Sequence, residues 1–151
     1  MPGLEDLYRE IILDHYRTPR NRGELPPPAR MAEGHNPLCG DEIHVYLDVQ
    51  GDTIVDVKIS GQGCSISQSS ASMMSAAVKG KNINDVLALV KRFKQMMSIE
   101  EENADTTGEI DTSIKLGDLE ALQGVVKFPV RIKCATLAWN TLVQALESPE
   151  R

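Results

Sequence analysis

Residues 42–59 read EIHVYLDVQGDTIVDVKI. Ile43, Val45, Leu47 and Val49 alternate with Glu42, His44, Tyr46 and Asp48, the period of two that lays one side of a strand on a core. Gly51-Asp52 is a two-residue turn signal, and Val55, Val57 and Ile59 resume the alternation beyond it. The prediction is an antiparallel hairpin with one apolar face. Residues 30–36 are expected to add a third strand at its edge.

Helical patterns flank the hairpin. Leu4, Leu7, Tyr8, Ile11 and His15 fall on one face of an amphipathic helix. Thr18-Pro19 ends it, because a residue before proline avoids the helical region. Residues 20–30, RNRGELPPPAR, read as an extended polar connection. After the hairpin, GQGC (61–64) leads into SISQSSASMMSAAVKG (65–80), with Ser65 as N-cap and Gly80 as C-terminal stop. Its small side chains predict close approach to a neighbour, with Met73 and Met74 filling core. Ile83, Val86, Leu87, Val90 and Met97 give the next helix its buried stripe, with Asn82 as cap. The acidic run at residues 98–113 reads as a solvated loop. GDLEAL (117–122) resumes order with Asp118 as a possible cap. After Pro129 a last helix carries Cys134, Leu137, Ala138, Thr141, Leu142 and Ala145 on one stripe. Hairpin first and helices after predict an α+β domain, with helices packed on a small antiparallel sheet of about three strands.

At 151 residues the chain is expected to form one domain spanning 1–151. A net charge of −6 argues against nucleic-acid and anionic-membrane partners, both of which need a basic footprint. No stretch approaches the roughly 20 apolar residues of a membrane span. The opening MPGLEDLYRE lacks an apolar signal core, so a cytoplasmic protein is expected.

Three cysteines stand at junctions of this pattern. Cys39 precedes the first strand of the hairpin and Cys64 follows the second, so both are predicted at the same end of the sheet. Asp41, two residues from Cys39, points to the same side if the chain is extended there. Cys134 is expected in the first turn of the last helix. Helix N-termini carry partial positive charge that attracts anions, and Arg131 and Lys133 flank Cys134. Three thiolates and a carboxylate gather only around a cation. Tetrahedral zinc accepts such ligands, and an iron–sulfur cluster is also held by thiolates. Asp is more exchangeable than a fourth Cys, which suits a site that is handled rather than closed. Against this stand plainer readings: Cys134 as core filling, Cys-Gly-Asp as an ordinary turn, His35 and His44 as loop and surface residues. Without a CxxC pair, spacing alone leaves both open.

The motifs go further. HNPLCGDEI (35–43), GQGCSISQSSASMM (61–74), FPVRIKCATLAWNTL (128–142) and the opening LYREIILDHYRTPRN (7–21) resemble the U-type iron–sulfur assembly proteins, the IscU and NifU N-terminal family. Within it the chain looks most like the SufU-type branch. The resemblance implies an α+β fold with a metal or cluster site built from Cys39, Asp41, Cys64 and Cys134. It implies a pyridoxal-phosphate (PLP) cysteine desulfurase as partner, with Cys39 receiving its persulfide sulfur. Two departures from the IscU pattern are visible. Lys133 stands where IscU-type proteins place a histidine before the last cysteine, and KFPVR (127–131) replaces their Leu-Pro-Pro-Val-Lys chaperone motif. GDLEALQGV looks like the insertion of the SufU-type branch, whose usual role is zinc-dependent sulfur transfer.

The leading expectation is therefore sulfur acceptance at a zinc-bound Cys3Asp site, serving cluster assembly or apo-iron–sulfur proteins downstream. The runner-up is a scaffold on which iron and sulfide form a transient 2Fe–2S cluster. A third, from another class, is a structural zinc module, whose metal would contribute on the order of 10 kcal/mol to folding.

Overall fold

The computed structural model describes residues 4–37, 40–97 and 116–149. Along the chain run α1 (Leu4–Arg17), β1 (Arg30–Asn36), β2 (Asp41–Gln50), β3 (Thr53–Gln62), α2 (Ser65–Val78), α3 (Ile83–Met96), a 3-10 helix (Gly117–Lys127) and α4 (Pro129–Glu147). The acidic run at 98–113 and Cys39 lie outside the described residues. Among the described residues, no helix is long and apolar enough to cross a membrane.

The three strands form one antiparallel sheet in the order β1-β2-β3, confirming the α+β expectation and the edge strand at 30–36. Ile43, Val45 and Leu47 are buried, as the alternation requires. On β3 the buried residues are Ile54, Val57 and Ile59, whereas Val55 is 38% exposed. Here the expected inward face of Val55 is wrong. Asp48 pairs with Asp56 but Val49 pairs with Ile54, leaving Val55 as the extra residue of a β-bulge. Ile54 is held from outside the hairpin: its N–H donates to the Lys81 carbonyl at 2.9 Å, and its carbonyl accepts the Gly80 N–H at 2.7 Å. The loop after α2 thus displaces the register that alternation alone predicts.

α2 runs through the middle of the helical layer, touching α1, α4 and β3. Its buried residues include Ser67, Ser69, Ser70, Ser72 and Ser75 beside Met73 and Met74. Small side chains let the neighbouring helices approach, and buried hydroxyls need partners to offset desolvation. Ser70 Oγ donates to the Ala135 carbonyl at 2.5 Å and accepts from Trp139 Nε1 at 3.1 Å. Trp139 itself stacks on Phe93 with ring centroids 4.4 Å apart, which pins α3 to α4. α3 is capped by Asn82 as predicted. Its buried stripe is Val86, Leu89, Val90 and Phe93, with Met97 buried beyond it, while Leu87 is 43% exposed. The stack on Trp139 sets that rotation, which the 83/86/87/90 spacing does not contain. α4 buries Cys134, Ala138, Thr141, Leu142 and Ala145 as expected, with Leu137 packed against the core and Ala135 and Trp139 added.

α1 covers this layer through Tyr8, Ile11 and Ile12; the side chains of Leu4 and Leu7 lie outside the described residues. At its C-terminal end the Arg20 guanidinium beside Asp14 holds that carboxyl below the usual carboxylate range. His15, 3% exposed, is a polar node rather than simple stripe filler. Its Nδ1 lies 2.8 Å from Ser72 Oγ, and its Nε2 lies 3.1 Å from Asp118 Oδ2. With Nε2–H donating to the carboxylate, Nδ1 accepts the Ser72 hydroxyl, whose oxygen accepts the Arg20 N–H at 2.8 Å. Asp118 therefore ties the 3-10 helix to α1; the cap position belongs to Leu116, with no side-chain hydrogen bond. His15→Leu is expected to cost about 1–3 kcal/mol in urea unfolding, because it strands buried polar groups. Asp118→Ala, with its carboxylate 61% exposed, should cost less than about 1 kcal/mol. Equal losses would contradict this assignment.

Candidate metal centre

Three chain segments converge at the end of the sheet where β2 begins and β3 ends. Asn36 and Asp41 pair directly across β1 and β2. The turn between them needs Gly40, whose φ of 68° is a region that side chains with a Cβ avoid. Asp41 stands two residues before Ile43 on the same inward face and is 2% exposed. A carboxylate so buried is costly unless its oxygens are bonded. Oδ1 accepts the Cys64 N–H at 2.9 Å, and Oδ2 lies 4.0 Å from Cys64 Sγ and 3.5 Å from Asn36 Nδ2. Gly63 makes room for this. A Cβ at Gly63 would overlap Asp41 Oδ1 and stand 2.6 Å from Ser67 Oγ.

Cys64 is half-buried and is itself the N-cap of α2, its Sγ accepting the Ser67 N–H at 3.5 Å. The expected cap, Ser65, is the first helical residue instead. The partial positive charge of the α2 N-terminus therefore faces this sulfur. Cys134 is fully buried. Because α4 begins at Pro129, Cys134 lies in the second turn rather than the first, beyond the reach of the unbonded helix-end amides. Its Sγ faces Asn36 Nδ2 at 3.6 Å. Arg131 and Lys133 are both exposed.

One donor atom each from Asp41, Cys64 and Cys134 lies within 4.8 Å of the others. Thiolates on one tetrahedral zinc stand about 3.8 Å apart at a Zn–S length of about 2.3 Å, so this set suits a single small cation after slight contraction. Both thiols are free of disulfides. Among the described residues no lysine or arginine salt bridge reaches Asp41. Two thiols and a buried carboxylate so placed could hold a metal ion. The two weighed histidines stay apart from it. His35 is exposed, and His44 Nε2 faces Glu42 and Glu33 at 3.2 and 3.6 Å. Asn36 is the site residue that sequence reading misses. Its only sequence-level hint is its place beside the CGD motif; its contact with Cys134 spans 98 positions.

Known proteins resemble this chain over most of its length. Residues 7–135 match the family described as NifU-like N terminal domain. The zinc-dependent sulfurtransferase SufU of Bacillus subtilis is 48% identical over 148 residues, covering 98% of this chain and 95% of that protein. The iron–sulfur cluster assembly scaffold protein IscU of Streptococcus pyogenes is 40% identical over 144 residues, covering 95% and 85%. A crystal structure from Fervidobacterium islandicum, of a protein proposed as an iron–sulfur cluster assembly scaffold for the SUF system, superposes with a TM-score of 0.80. It is 35% identical, and the match covers 95% of this chain and 99% of that one.

Proposed function

The chain belongs to the NifU-like N-terminal domain family, and from that premise we propose that it serves iron–sulfur cluster biogenesis as an acceptor of persulfide sulfur. The donor is a PLP-dependent cysteine desulfurase of the SufS or IscS kind, and the site is Cys39, Asp41, Cys64 and Cys134 with zinc. The observation that carries this reading is the meeting of Asp41, Cys64 and Cys134 from β2, the α2 N-terminus and α4 within 4.8 Å. The likeness to a relative named a zinc-dependent sulfurtransferase supports it.

Zinc, when bound, supplies charge that keeps thiolates deprotonated and protected from oxidation. The chain's own residues supply the rest. Asp41, fixed through Oδ1 on the Cys64 amide, and the half-buried and buried thiols of Cys64 and Cys134 would hold the metal. Cys39 attacks the outer sulfur of the donor's persulfide. An S–S bond forms at Cys39, the donor's S–S bond breaks, and the electron pair departs with the donor thiolate. The exchange is neutral in redox and needs no further reactant. The product is a Cys39 persulfide, ready for cluster assembly or apo-iron–sulfur proteins downstream.

Turnover of a partner desulfurase, with and without the zinc-loaded protein at matched reductant, tests this. Stimulation in proportion to zinc-loaded protein is expected; unchanged turnover would overturn sulfur acceptance. The scaffold reading draws on the relative named for that role and uses the same residues. Anaerobic reconstitution with iron and sulfide separates the two: a stable 2Fe–2S spectrum without desulfurase stimulation would favour the scaffold.

A further inference from the structure

Asn36 closes β1 and is the buried residue of that edge strand, with the positions before it half-buried or exposed. A primary amide in such a place is costly unless bonded. Its Nδ2 is directed at two candidate ligands on different elements. It lies 3.5 Å from Asp41 Oδ2, the outer limit for a hydrogen bond, and 3.6 Å from Cys134 Sγ, within the usual range for sulfur. An amide nitrogen carries two hydrogens, one for each.

Resting on the metal-site reading above, we propose that Asn36 is a positioning residue that braces Asp41 and Cys134 toward one point. The geometry makes the brace specific. Asp41 has its other oxygen on the Cys64 amide, so the Asn36 contact completes the orientation of the carboxylate plane. Cys134 lies in the second turn of α4, past the unbonded amides of the helix end, and Asn36 offers its sulfur an N–H from the sheet. With Cys39 engaged in sulfur exchange, Asp41, Cys64 and Cys134 would hold the metal only while they stay aligned. Asn36 spans the sheet and α4 to keep them so. Groups behind metal ligands commonly set affinity by about 10–100-fold.

The test compares wild type with Asn36→Leu, which keeps the branched shape but has no donor. Zinc affinity is read by competition with a chromophoric chelator, and metal-free stability by thermal unfolding. Cobalt(II) substitution supplies a spectroscopic reading. Asn36→Leu is expected to lose about 10–100-fold in zinc affinity, with the metal-free protein still unfolding as one cooperative unit. The thiolate-to-cobalt charge-transfer band should move to longer wavelength, because the sulfur lone pair loses a stabilising N–H. Affinity within about threefold of wild type and an unmoved band would overturn the assignment. If Asn36→Leu does not fold, Asn36→Ala is read by the same criteria. Wild-type protein that binds no zinc, or whose zinc affinity is unchanged in Cys134→Ala, would overturn the metal-site reading itself and the brace with it. Wild-type binding that Cys134→Ala weakens and Asn36→Leu leaves intact would overturn the brace alone.

Discussion

Cys39→Ala is expected to lower the stimulation of a cysteine desulfurase by at least about a hundredfold, since removal of a nucleophile commonly costs several orders of magnitude. Zinc is expected to stay on the variant. The difference follows from the division of labour proposed for the ligands. Asp41 is oriented by the Cys64 amide, and Cys134 is buried on α4, so three donors remain when the fourth is deleted. The zinc content of purified Cys39→Ala and its effect on desulfurase turnover are measured side by side. Retained zinc with lost stimulation places the entry of sulfur at Cys39. Stimulation equal to wild type would assign acceptance to another residue, and Cys64, the half-buried thiol, would be the next to test.

Gly63→Ala is expected to do the opposite, damaging the metal site before the nucleophile. The added Cβ collides with Asp41 Oδ1 and stands 2.6 Å from Ser67 Oγ, at the point where α2 begins. Neither neighbour can move freely. Oδ1 is bonded to the Cys64 amide, and Ser67 Oγ donates to the Cys64 carbonyl at 3.1 Å. The collision therefore reaches the Cys64 ligand as well as the Asp41 ligand. Zinc affinity should fall by about 10–100-fold, and overpacking should lower stability by about 1–3 kcal/mol. Gly40→Ala is a useful contrast. A Cβ there meets nothing within 4 Å, and only the φ of 68° is penalised, at a cost of order 1 kcal/mol or slightly more. If Gly63→Ala bound zinc like wild type, the carboxylate would not occupy the position the structure gives it.

The same contrast shows which parts of the site are legible in sequence. The hairpin is legible because a period of two is local, and its geometry forces the start of β2 and the end of β3 to one end. That predicts Cys39, and with it Asp41, at the end of the sheet where Cys64 stands. What escaped depends on contacts far along the chain. Val55 turns outward because Gly80 and Lys81 hold the backbone of Ile54. The α3 stripe rotates to Leu89 and Phe93 because Trp139, 46 positions beyond Phe93, stacks on Phe93. Cys64 caps α2 in place of Ser65, although cysteine is outside the usual capping set, because its sulfur accepts the Ser67 N–H. Asn36 has the plainest cause: nothing in a polar residue at the end of an edge strand announces a thiol on the last helix. The motifs compensated for part of this. Their resemblance implies that Cys134 joins the other candidate ligands, which spacing alone leaves undecided.

The most direct measurement is zinc K-edge absorption on the protein loaded with one equivalent of zinc. The account predicts one tightly held zinc per chain, with three sulfur scatterers at about 2.3 Å and one oxygen at about 2.0–2.2 Å. In Asp41→Ala the oxygen shell should change while the sulfurs remain. A zinc shell without sulfur, or a protein that holds no zinc, would contradict the convergence of Cys39, Asp41, Cys64 and Cys134 on a metal.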